Sequence, residues 1–185
     1  SIPMFLLYNP ELIRGMMRPI FRYAASDLWP HDFAPHDCGQ YPLLNGQVYC
    51  GTSIEGQMPV EECGNMLGMV CAEAIASGRF DFAAAHLDVL HQWARYLVEF
   101  GTDPANQLCT DDFAGHMAHN CNLSLKAIMG VACYSIILEK LGCADDAAAF
   151  MAKAKEMAAI WIRTAANGDG SYRLAFDRPG SYSMK

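Results

Sequence analysis

The feature that most constrains this chain is a contrast between its helical segments. Two of them, about 60–77 and 122–141, are apolar on nearly every side. Each leads through a short turn, at Gly78-Arg79 or Gly142-Cys143, into a segment with one apolar stripe and one polar face. In the segment about 82–100, Leu87, Leu90, Trp93, Leu97 and Phe100 lie opposite Asp88, Gln92, Arg95 and Glu99. In the segment about 145–166, Phe150, Met151, Ala154, Met157, Ala158 and Trp161 lie opposite Lys153, Lys155 and Glu156. A helix apolar all round must be covered on all sides, whereas a striped helix can do the covering. The alternation recurs at a spacing of about 60 residues, which predicts an inner layer of helices shielded by an outer one. No block reads as a strand, so the class is all-α.

This arrangement places the inner helix N-termini, and the long connections that precede them, at one end of the bundle. An earlier amphipathic helix is also expected. Asn9 caps it, Pro10 occupies its first position, and Pro19 is a candidate kink. Leu12, Ile13, Met16, Met17, Ile20 and Phe21 recur on one face, with Arg14, Arg18 and Arg22 on the other. Between this helix and the first inner one, residues 27–58 lose all periodicity and become rich in Pro, Gly, His and Asp. A connection of that length within a compact domain is usually functional.

Bulk properties exclude several function classes. With 185 residues, 52% of them hydrophobic and 18% charged, the chain has material for one folded domain, 1–185, or a large piece of a bigger one. A net charge of -7 with only 13 Lys and Arg supplies no phosphate-binding patch, so no nucleic-acid partner is expected. The longest uncharged apolar run, 127–138, is shorter than the roughly 20 residues of a membrane helix, so no membrane span is expected. Of the eight cysteines, Cys63, Cys71, Cys121 and Cys133 sit among apolar residues where a free thiol packs as a small hydrophobe. There is no C-x-x-C pair.

The chemistry-bearing residues gather ahead of the two inner helices. Glu61 and Glu62 open the first, and Asp111 and Asp112 precede the second. Two carboxylate pairs at one end of a bundle could supply an acid and a base, burial and mutual repulsion driving their pKa values apart. The plainer reading is that each pair favours its helix dipole. Their company includes His36, Asp37, Asn106, Gln107, Asn120 and Asn122, polar groups that need partners or a polar ligand. Hydrogen bonding within the loops is the alternative, and it is favoured for Asn120 and Asn122. His116 and His119, with His31 and Asp32, lack the ligand spacing of a known metal motif, so no metal and no cofactor are expected. There is no G-x-S-x-G, S-x-x-K or glycine-rich phosphate loop. Cys109 near Asp111 and His116 is a weak candidate for a thiol nucleophile, and Asn167 and Asp169 only superficially suggest a calcium loop.

The runs FAPHDCGQYP, MPVEECGNM and NQLCTDDFAGHMAHNCNLSLKAI, together with SYRLAFDRPGSYSMK, resemble the six-hairpin domain of the fungal and bacterial glutaminase A family, long catalogued as a domain of unknown function. The similarity spans nearly the whole chain. It implies antiparallel helical hairpins forming part of an (α/α) six-hairpin toroid. It also implies hydrolysis of L-glutamine to L-glutamate and ammonia, and an extracellular or cell-envelope location. Family members add an N-terminal β-rich region and continue beyond the point corresponding to Lys185, so this chain is expected to be a fragment with those regions as partners. Inner-helix surface left open on such a fragment would favour self-association. Cys63 and Cys109 stand where the family pattern has serine, which argues against an obligatory thiol nucleophile. The expected catalytic pair is Glu62 and Asp112, supported by Glu61 and Asp111, with a small polar substrate held by the neighbouring His, Asp, Asn and Gln residues. The alternatives are a glycoside hydrolase-like domain, since paired carboxylates also cleave glycosidic bonds, and a non-catalytic helical module bracing a larger enzyme.

Overall fold

The computed structural model describes residues 2–109 and 115–181. Among the described residues the chain is all-helical, with isolated single bridges and no strand. Helices α1 (Ile2–Tyr8) and α2 (Glu11–Ala24) form the N-terminal pair. A long connection with one 3-10 turn (Ile54–Gly56) leads to α3 (Pro59–Ser77), followed by α4 (Asp81–Ala85) and α5 (Leu87–Phe100). A second connection leads to α6 (Cys121–Lys140) and α7 (Ala144–Ala165).

The two helices predicted to be buried, α3 and α6, pack against each other at the centre. Glu61 meets Lys126 near their starts, and Cys71 meets Cys133 further along, so the two run parallel and their N-termini share one end. Glycines set their separation. A Cβ on Gly64 would lie 2.9 Å from the Lys126 carbonyl, and one on Gly130 would lie 3.1 Å from the Gly64 Cα. The α7 helix returns antiparallel to α6, with Ser135 Oγ donating to the Ala147 carbonyl near one end and Trp161 Nε1 to the Cys121 carbonyl near the other. Gly78 and Gly142 both adopt left-handed φ, 68° and 83°, where a glycine carries no Cβ penalty, and so turn the chain between partner helices. By length and composition α6 is apolar enough to cross a membrane, in contrast to the shorter run read from sequence. In the fold most of it is buried against α3, α5 and α7, which accounts for that composition.

Two local expectations are corrected, the face that α2 buries and the extent of the helix predicted over 82–100. The α2 helix continues through Pro19 to Ala24. Its buried seam is Ile13, Met17 and Phe21, whereas Leu12 and Met16 are exposed and Arg14 is buried. Arg14 can turn inward because Glu73 on α3 accepts from its Nε at 2.7 Å and Asp81 from its two terminal nitrogens at 3.0 Å each. The predicted helix 82–100 is broken at His86, whose φ of -121° is not helical. The His86 ring stacks on Phe21 at 4.3 Å between centroids, so the break inserts an aromatic contact into the α2 interface.

Candidate functional site

The first inner helix begins without using its own acids as caps. No side chain caps α3 from its N-cap position. The Val60 amide instead donates to Gln107 Oε1 at 3.0 Å, and Gln107 Nε2 is tied back to the Ala105 carbonyl. Gln107 is therefore spent on the helix start, satisfying an amide that would otherwise lack a partner. The second inner helix is capped by Asn120, whose Oδ1 accepts from the amides of Asn122 and Leu123 at 2.9 and 3.2 Å. The Asn120 Nδ2 donates to Cys109 Sγ, and both residues are fully buried. That thiol packs beneath the start of α6 and does not open to solvent. The side chains of Asn106 and Asn122 are exposed.

With the caps supplied elsewhere, Glu61 and Glu62 are available for other contacts. Glu61 is wholly buried, a position a carboxylate rarely takes without a partner. Its Oε1 accepts from Lys126 Nζ, reaching across from α6, and from Asn65 Nδ2 at 3.2 Å. Glu62 is half-buried beside it. Burial pushes the Glu62 carboxyl up to about 7. The nearby His36 opposes that shift, the Glu61 charge adds to it, and Asn65 and Lys126 oppose it. A carboxyl poised near neutrality exchanges a proton at little cost in either direction.

His36 is brought to this mouth by the long loop, which is ordered around one carboxylate. Asp37 Oδ1 accepts from the Gly39 and Val48 amides at 2.9 and 2.8 Å. Its Oδ2 accepts from the Tyr49 amide at 3.2 Å and lies 3.1 Å from His36 Nδ1. Burial alone would raise the Asp37 pKa, but these donors outweigh it and hold the carboxyl below its ordinary range. Two buried glutamines complete the loop. Gln47 Oε1 accepts from the His36 amide, and its Nε2 donates to Gln57 Oε1 at 2.9 Å.

Asp111 and Asp112 lie outside the described residues. Lys126 and Asn65 were missed by sequence reasoning, although Lys126 carried a signal, being the lone charge between Cys121 and Leu138. Both also line a mostly apolar groove of about 350 Å³ along α3 and α6, walled by Ile2, Met69, Leu125 and Met129. Among the described residues no group of three or more His, Cys, Asp and Glu side chains gathers as a metal site would require. His31 pairs with the Thr52 carbonyl and His119 with Asp103, at separate places. Asn167 and Asp169 are engaged in a turn with Ser171.

Comparison with known proteins places the chain in a family. The profile of the glutaminase A six helical-hairpin domain matches residues 1–185. The chain belongs to that family. It is 39% identical over 160 residues to "Glutaminase A" of Aspergillus oryzae, an alignment covering 86% of this chain and 23% of that protein. It is 27% identical over 241 residues to a "Probable glutaminase" of Arthroderma benhamiae, covering 99% of this chain and 28% of the relative. The chain thus spans about a quarter of the length of the curated relatives it matches. Family membership agrees with the all-helical architecture.

Proposed function

We propose that this chain supplies acid–base machinery for hydrolysis of the L-glutamine side-chain amide, giving L-glutamate and ammonia. The observation that carries the reading is Glu62, a half-buried carboxyl with a pKa near 7 beside a buried carboxylate–ammonium pair, in a chain of the glutaminase A domain family. In amide hydrolysis, water must lose a proton as its oxygen adds to the carboxamide carbon. The nitrogen must gain one before the C–N bond breaks and ammonia departs. Glu62 is the proton donor to the leaving nitrogen in this reading, because near neutral pH a large share of it is protonated. Asp112 acts as the base that activates water. His36, held by Asp37, lies close enough to influence the Glu62 charge and is a candidate substrate contact from the loop side.

Ammonia release from L-glutamine tests the reading, measured on the chain and on any longer polypeptide of which it forms part. Glu62→Gln is expected to lower kcat by about 100-fold or more while the fold is retained, since an amide cannot donate a proton in the same way. In the unsubstituted protein the rate should decline as pH rises through about 7, where Glu62 loses its proton. Absence of ammonia release, or full activity in Glu62→Gln, would overturn the assignment.

A further inference from the structure

Lys126 stands alone as a charge on a mostly apolar helix that is otherwise uncharged from Cys121 to Leu138. An ammonium is strongly hydrated, and its placement within such a helix needs compensation. Compensation comes from Glu61, the wholly buried member of the glutamate pair, which accepts from Lys126 Nζ and from Asn65. The placement is fixed by backbone. Gly64, one turn beyond Glu61, lies directly against the Lys126 main chain, so the lysine stem starts from a position set by the α3–α6 crossing.

Two neighbouring carboxyls without a nearby cation share their protons, and neither is a dedicated donor. A cation seated on one of them breaks the symmetry. We propose that Lys126 is a positioning residue for the carboxylate pair, holding Glu61 as the carboxylate so that the exchangeable proton of the pair resides on Glu62. Its importance for catalysis rests on the hydrolase reading above, but the proton assignment does not. Among the described residues, the groups facing Glu62 are His36 from the long loop, Glu61, Asn65 and the Cys63 thiol from α3, and Lys126 from α6. Of the cations among them, Lys126 is the one that contacts Glu61.

The test is a carbon-detected NMR titration of the side-chain carboxyls in the glutamate-labelled chain, with Glu61→Gln and Glu62→Gln used for assignment. In the unsubstituted chain Glu62 should titrate near neutrality while Glu61 keeps a carboxylate shift between about pH 5 and 9. In Lys126→Met, Glu61 should begin to titrate within that range. The upper inflection of the pair should also rise by about one unit, because removing a positive charge makes every proton of the pair harder to lose. Lys126→Arg should restore the original pattern. A Glu61 signal that stays carboxylate in folded Lys126→Met would overturn the proposal and leave Lys126 as a strut. Titration of Glu61 within that range in the unsubstituted chain would overturn it equally, even if Lys126→Met failed to fold. No glutamine is present, so a failed titration and a failed ammonia assay are separate results.

Discussion

Helix α3 carries two wholly buried glutamates, each neutralised by a cation from a neighbouring helix, and the two pairs are built differently. Glu73 meets Arg14 of α2, whose side chain is only 4% exposed and whose planar fork is also filled by Asp81. Glu61 meets Lys126 of α6, whose side chain is 26% exposed, with Glu62 and His36 nearby. In the first pair both charges are shielded and the geometry is fixed, as suits a guanidinium that offers donors in a rigid fork. The second uses a flexible point charge beside a carboxyl that titrates near neutrality. An ion pair with both members buried can join helices, but Glu73 is placed to exchange no proton with solvent. The open pair joins helices too, and it sits beside a carboxyl, Glu62, that can exchange one. Equal burial of the two glutamates therefore does not mean an equal role, and what separates them is the exposure and chemistry of their partners.

Substitutions can break this comparison in order of expected size. Arg14→Met should destabilise most, by about 3–5 kcal/mol, because it leaves Glu73 buried without its cation. Urea or thermal unfolding measures the loss. Lys126→Met should cost less, about 2 kcal/mol, in keeping with a charged hydrogen bond at a site water already reaches. Equal losses from the two substitutions would mean that the second pair is a strut like the first. Glu62→Gln should change stability in a pH-dependent direction. Glu62 holds its proton more tightly when folded, at about 7 against an ordinary 4.5. Its contribution is therefore complete below about 4.5 and is lost as pH rises through 7. The variant should lack that decline and be relatively more stable at alkaline pH. Unfolding curves collected across this range would show the slope disappear, and an unchanged slope would remove the basis for a poised Glu62.

Much of the fold was legible in the sequence because it was written in periodicity. Helices α3, α6 and α7 begin and end within a residue of the apolar and polar patterns, and the glycines at 78 and 142 mark their turns. What periodicity could not give was rotation and partnership. Arg14 reads as a surface residue until Glu73, 59 positions away, is known to meet it. Gln107 reads as a ligand-facing amide until it is found capping α3 from 47 positions away. The break at His86 depends on Phe21, which belongs to another helix. The first helix, α1, has no polar face to betray it. Within the candidate site the glutamates were visible as an acidic pair at a helix start, but Lys126 and Asn65 were not, because each becomes significant only through the α3–α6 interface. An isolated lysine in a buried helix is the signal that could have led there, since such a charge implies an acid opposite it.

The crossing at Gly64 and Gly130 gives this interface an unusual kind of stiffness. Helices separated by large side chains can move closer or apart as rotamers change, so their spacing carries the thermal play of the side chains between them. Here main chain comes up to main chain at the two glycines, with the Leu97 side chain packed beside Gly130. The distance from one helix to the other is thus largely a dimension of the backbone itself, set like a gauge block one turn from the acidic mouth.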